Sequence, residues 1–140
     1  MNLDSIYTEI ITEYSQSKHN ERTIDSPTKS LKGHNPSCGD EINLEIKIKD
    51  NIIEDAAFTG VGCAISRAST SIMIDLIKGK RIKDALNLVD TFIGMIKREI
   101  TNDEDLEILE DAMALKNISN LPARVKCAVL AWHTLKQALE

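Results

Sequence analysis

Three cysteines are the residues of this chain best suited to chemistry: Cys38, Cys63 and Cys127. The first stands in Asn35-Pro36-Ser37-Cys38-Gly39-Asp40, and the second in Gly60-Val61-Gly62-Cys63-Ala64-Ile65-Ser66-Arg67. The third stands in Pro122-Ala123-Arg124-Val125-Lys126-Cys127-Ala128. Each setting is marked by glycine or proline, and the first pairs its thiol with a carboxylate. In an extended segment, positions two apart point to the same side, so Cys38 and Asp40 share one. Gly39 between them leaves room for a metal or a partner to approach the backbone. Cys63 falls where a helix should start, and the helix dipole there favours thiolate over thiol. Three thiolates and one carboxylate make a tetrahedral set suited to zinc or iron. With a divalent metal that set carries a formal charge of about -2. Arg124 and Lys126, just before Cys127, and Arg67, just after Cys63, are cations able to offset it.

Spacing alone leaves a second reading open. The chain has no CxxC pair, and dispersed cysteines are commonly small buried residues. Other chemistries fit less well. There is no Walker A loop, no GxGxxG and no GxSxG elbow. A Cys–His catalytic pair lacks an adjacent histidine, His34 being the nearest to Cys38 in sequence. His19 sits in a polar stretch and is expected to be exposed and without a role. His133, in the last helix, reads as an ordinary surface or core residue.

Composition bounds the class. The 140 residues suit one domain, 1–140, with a sizeable core. Apolar residues make up 42% and charged ones 28%, which is ordinary for a globular chain, and only 4% are aromatic. The core must therefore be mostly Ile, Leu, Val and Ala. A net charge of -5 argues against nucleic acid as the main partner. No apolar run approaches a membrane span, and residues 1–14 lack a signal-peptide pattern. A reducing, cytoplasmic location is the expectation, with the cysteines free, metal-bound or catalytic rather than paired.

The elements that must position these residues follow from periodicity. Asn2 to Ser15 repeats apolar residues at helical spacing, with Asn2 or Asp4 as cap, and core packing is the expected fate of its stripe. Gln16 to Lys32 reads as a loop or mobile connection. A short extended piece leads into Pro36. Ile42, Leu44, Ile46 and Ile48 then alternate with polar residues, the clearest strand in the chain. Asp50-Asn51 forms a turn, and Ile52 to Thr59 returns as the partner strand, ended by Gly60 and Gly62. Such a hairpin makes neighbours of its two ends, and so of Cys38 and Cys63.

Ala64 to Lys78 is a helix whose small first half should lie flat against the sheet, with Gly79 past its end. Arg81 to Ile100 is a longer helix, weakened at Gly94. Asn102 or Asp103 caps a short helix in an acidic stretch, and Lys116 to Asn120 is a connection. Ser119 or Asn120 caps the last helix, Pro122 fits its first turn, and Cys127 lies about one and a half turns inside it.

Together, the three ordered cysteine motifs resemble those of the U-type iron–sulfur assembly proteins, which include IscU and the N-terminal domain of NifU. The resemblance runs through nearly the whole chain. It implies an α+β fold, a small antiparallel sheet of about three strands covered by helices, with the cysteines gathered at one end. The SufU branch is the most similar. Lys126 stands where IscU proteins carry a histidine before the third cysteine, and the segment between Cys63 and Cys127 is longer, with the insertion around 93–115. SufU resemblance implies zinc held by Cys38, Asp40, Cys63 and Cys127, and sulfur received from a SufS-type, PLP-dependent cysteine desulfurase. Cys38 is then the thiol that takes the sulfur, with Arg124 orienting the partner or balancing charge. The alternatives are a scaffold that builds and passes on a [2Fe–2S] cluster, and a structural zinc domain with no transfer role.

Overall fold

The computed structural model describes residues 2–37 and 39–140. The order is α1 (Leu3–Gln16), β1 (Lys29–Asn35), β2 (Asp40–Lys49), β3 (Ile52–Val61), α2 (Ala64–Ile77), α3 (Ile82–Ile96), α4 (Asp103–Leu106), a 3₁₀ run (Glu107–Asn120) and α5 (Pro122–Leu139). The strands form one antiparallel sheet in the order β1-β2-β3. This is the α+β architecture expected, with helices against one sheet face.

Alternation in β2 works as the pleat requires. Ile42, Leu44 and Ile46 are buried on the helix side, joined from β3 by Ile53, Ala56 and Phe58. The β2–β3 turn is Asp50-Asn51, with φ of 54° and 64°, the left-handed pair that matches strand twist in a two-residue hairpin. Helices α5 and α2 lie over the sheet, and α3 packs against α5 and the 3₁₀ run. Trp132 of α5 stacks flat on Phe92 of α3, ring centroids 3.9 Å apart and planes 7° apart. An aliphatic core thus has an aromatic pair at its centre.

Several expectations need correction. Residues 17–28 are the loop expected, with 20–28 fastened to the sheet, while residues 29–32 already belong to β1. Asn20 and Ile24 are buried, and the Arg22 N–H donates to the Phe58 carbonyl while the Phe58 N–H donates to that of Asn20. The Arg22 guanidinium grips both oxygens of Asp55, at 2.6 and 3.0 Å. The polar composition of this stretch serves those bonds, and β1 already begins at Lys29. His19 is engaged as well: its Nε2 lies 3.0 Å from Asp75 on α2.

The second long helix stops at Ile96, four residues early. Ile100 folds back onto Gly94, where a Cβ would come within 2.6 Å of the Ile100 side chain, and the Glu99 and Ile100 N–H groups donate to the Gly94 carbonyl. The short helix capped by Asn102 is present, but 116–120 continues a 3₁₀ run instead of forming a simple connection. Neither Ser119 nor Asn120 caps α5, because both side chains are taken by Arg98 and the cap is Leu121.

The small half of α2 faces other helices more than the sheet. Ser66, Ala68, Ser69, Thr70 and Ser71 are buried, and α2 packs chiefly on α1 and α5. Helix α1 does dock on the core through Ile10, Ile11 and Tyr14, yet none of its residues is buried. No described helix is long and apolar enough to cross a membrane.

Candidate metal centre

The hairpin brings the start of β2 beside the end of β3, pairing Glu41 with Val61 and Ile42 with Gly60. Asp40, first residue of β2, is fully buried there. Cys63 follows two residues beyond β3 and is the N-cap of α2, its sulfur accepting the Ser66 N–H at 3.5 Å. The Cys63 N–H donates to Asp40 Oδ1 at 2.9 Å, and the Cys63 sulfur lies 4.0 Å from Asp40 Oδ2. One carboxylate thus braces both the backbone and the sulfur of the cap.

Cys127 arrives from the other side of the core, on the second turn of α5, at 1% exposure. Its height along α2 is fixed one residue later. The Ser69 hydroxyl donates to the Ala128 carbonyl at 2.5 Å and accepts the Trp132 indole N–H at 2.9 Å. That bridge binds α2 to α5 within two turns of both thiols. Asp40, Cys63 and Cys127 then present ligand atoms all within 4.8 Å of one another.

Two glycines make the convergence possible. Gly60 has φ of 133°, and a Cβ there would sit 2.0 Å from the Glu41 carbonyl. No other residue could let β3 press so closely on the strand that starts with Asp40. At Gly62 a Cβ would come 3.2 Å from Asp40 Oδ1, so its absence leaves space for the carboxylate. The spacing of both glycines beside Cys63 was the available signal. The Ser69–Trp132 bridge left no mark in sequence, being a contact between residues far apart in the chain.

Of the expected site residues, Cys38 lies outside the described residues. Arg124 is exposed on the first turn of α5, before Cys127, and Lys126 is exposed next to it. Arg67 pairs with Glu21, its Nε 3.1 Å from the carboxylate. Next to Asp40, the Lys32 ammonium is 2.6 Å from Glu41 and holds that carboxyl below the usual range. No histidine belongs to the group of converging ligands among the described residues. His133 is exposed on α5.

Two thiols and a carboxylate this close are a donor set that suits a thiophilic metal. Soft thiolates favour zinc and iron over magnesium or calcium, and one carboxylate among them is common to both metals.

Comparison with known proteins agrees with this arrangement. The NifU-like N terminal domain family matches residues 6–140. The iron-sulfur cluster assembly scaffold protein IscU of Thermotoga maritima is 41% identical over 135 residues, covering 96% of this chain and 93% of that protein. The zinc-dependent sulfurtransferase SufU of Bacillus subtilis is 39% identical over 140 residues, covering 99% and 92%. A crystal structure of a SUF-system iron-sulfur cluster assembly scaffold protein from Fervidobacterium islandicum superposes with a TM-score of 0.90 at 36% identity, covering 99% of this chain and all of that one.

Proposed function

Because this chain belongs to the NifU-like N-terminal domain family of iron–sulfur cluster assembly proteins, we propose that it is a zinc-dependent sulfur acceptor working with a SufS-type cysteine desulfurase. In this reading residues 1–140 act as one domain in a reducing cytoplasm. Cys38, Asp40, Cys63 and Cys127 hold the metal, which keeps the thiols deprotonated and shielded. The observation that carries it is the ligand group itself: two thiols and a carboxylate, with no imidazole among the described members, and Lys126 beside Cys127.

Cys38 is the thiol that takes the sulfur. Cys127, by contrast, is buried inside α5. The Cys38 thiolate attacks the outer sulfur of the desulfurase persulfide. The partner's S–S bond breaks as a new one forms on Cys38, the partner cysteine leaves as thiolate, and no outside oxidant is needed. Arg124, exposed on α5 ahead of Cys127, orients the acidic or thiolate face of the partner. The acceptor resembles a sulfurtransferase, though its sulfur originates on the desulfurase.

The test is metal content and absorption on protein purified without oxygen, followed by incubation with a SufS-type desulfurase and cysteine. About one colourless zinc per chain, with persulfide sulfur appearing on wild type but not on Cys38→Ala, is expected. A brown protein holding equal iron and sulfide would replace this reading with the cluster scaffold, the role named for the Thermotoga relative.

A further inference from the structure

Ser66 is the third residue of α2 counted from the Cys63 cap. A polar side chain in that position commonly reaches back to the cap residue's N–H. Here Asp40 Oδ1 has already taken that N–H, at 2.9 Å. The Ser66 hydroxyl is left without a hydrogen-bond partner, although the residue is 1% exposed. The other buried hydroxyls of α2 are all served. Ser69 bridges Ala128 and Trp132, Thr70 donates to the Ser66 carbonyl at 2.7 Å, and Ser71 accepts from Asn20 at 2.9 Å. A buried hydroxyl with no partner is costly and calls for a reason.

Its direction supplies one. A Cβ on Gly62 would lie 3.1 Å from Ser66 Oγ and 3.2 Å from Asp40 Oδ1. The hydroxyl and the carboxylate therefore both border the space that a Gly62 side chain would crowd. We propose that Ser66 is a positioning residue of the metal centre, its hydroxyl donating to the Asp40 carboxylate when the centre is filled. The inference rests on the reading that Asp40, Cys63 and Cys127 hold a metal. A carboxylate set among thiolates gathers negative charge, and this hydroxyl is a buried donor without a partner among the described residues. Outer partners of this kind orient a ligand and strengthen its hold. The penalty carried in the empty state is then recovered in the filled one.

The experiment measures zinc affinity by competition with a chromophoric chelator, for wild type, Ser66→Ala, Asp40→Ala and the double variant. Thermal melting of each metal-free protein is recorded alongside. Ser66→Ala should weaken zinc binding about tenfold, while its metal-free form melts no lower than wild type. In the Asp40→Ala background the same change should matter less than about twofold, because its route is gone. The inference falls if Ser66→Ala binds zinc like wild type, if its metal-free form melts lower, or if the tenfold loss persists without Asp40. Wild type that fails to take zinc from the competitor overturns the site reading, and this inference with it. Wild type that binds while Ser66→Ala is unchanged overturns the inference alone.

Discussion

Helices α1 and α5 both carry apolar residues, yet they meet the core differently. Helix α5 buries Cys127, Ala128, Ala131, Trp132, Thr134, Leu135 and Ala138. Helix α1 buries none, and leaves Leu3 and Ile6 at 58% and 39% exposure. The difference lies in what each helix meets. Helix α5 crosses the small face of α2 and is locked there by the Ser69–Trp132 bridge and the Phe92 stack. Helix α1 lies outside α2, against the 3₁₀ run, held by Tyr14 near Asp111 and by the Asn117 amide donating to Asp4. Burial and the neighbouring Asp75 push the Tyr14 hydroxyl well up from its ordinary value, so it stays a donor at any working pH. The helix that carries a thiol is thus the one fixed most firmly, which suits a centre whose ligand atoms must meet within a few ångströms.

The largest break in this contrast comes from Trp132→Ala. Losing a fully buried indole with its stack and its bond to Ser69 should cost about 3–5 kcal/mol, read from denaturant midpoints. Zinc affinity should fall as well, since the height of Cys127 would no longer be fixed. Unchanged metal affinity in a folded variant would mean that the bridge does not position the site.

An intermediate effect is expected on the other helix. Ile11→Ala removes a half-buried side chain and should cost about 1 kcal/mol, with zinc affinity untouched. Hydrogen exchange sharpens the point: α1 amides should exchange through local opening well before those of α5. Equal protection of both helices would erase the contrast.

The smallest effect concerns the loop that joins α1 to the sheet. The Arg22 guanidinium bonded to Asp55 holds that carboxyl below its usual range. A carboxylate whose folded pKa is depressed adds stability above its unfolded pKa, about 3.9. That stability is lost as pH falls through the lower folded value. Asp55→Asn should therefore be less stable than wild type at neutral pH by up to about 1 kcal/mol, the range of a half-exposed pair. The gap should close in strong acid. Urea midpoints at pH 7 and pH 2.5 would show it, and a gap independent of pH would assign the loss to packing instead.

The sequence by itself determined what is local. Strict alternation fixed β2 and its buried face. Asp50-Asn51 fixed the turn, since these residues tolerate the left-handed region, and the hairpin followed. Proline and the cysteine motif placed the starts of α5 and α2. Side-chain chemistry alone also named the candidate ligands and the metals they suit.

Tertiary structure decided the rest. Asp40, Cys63 and Cys127 meet because β-pairing, two missing Cβ atoms and the Ser69–Trp132 bridge act together, and no sequence window holds all three. The loop at 20–28 is fastened by bonds to distant partners, Phe58, Asp55 and Glu45, which its polar composition does not announce. The end of α3 was set by Ile100 returning to Gly94, and Arg67 found its partner in Glu21 of the loop before β1. Periodicity reports which face of an element is apolar. How deeply that face is buried, and which polar group finds which partner, depends on contacts between segments that sequence spacing does not encode.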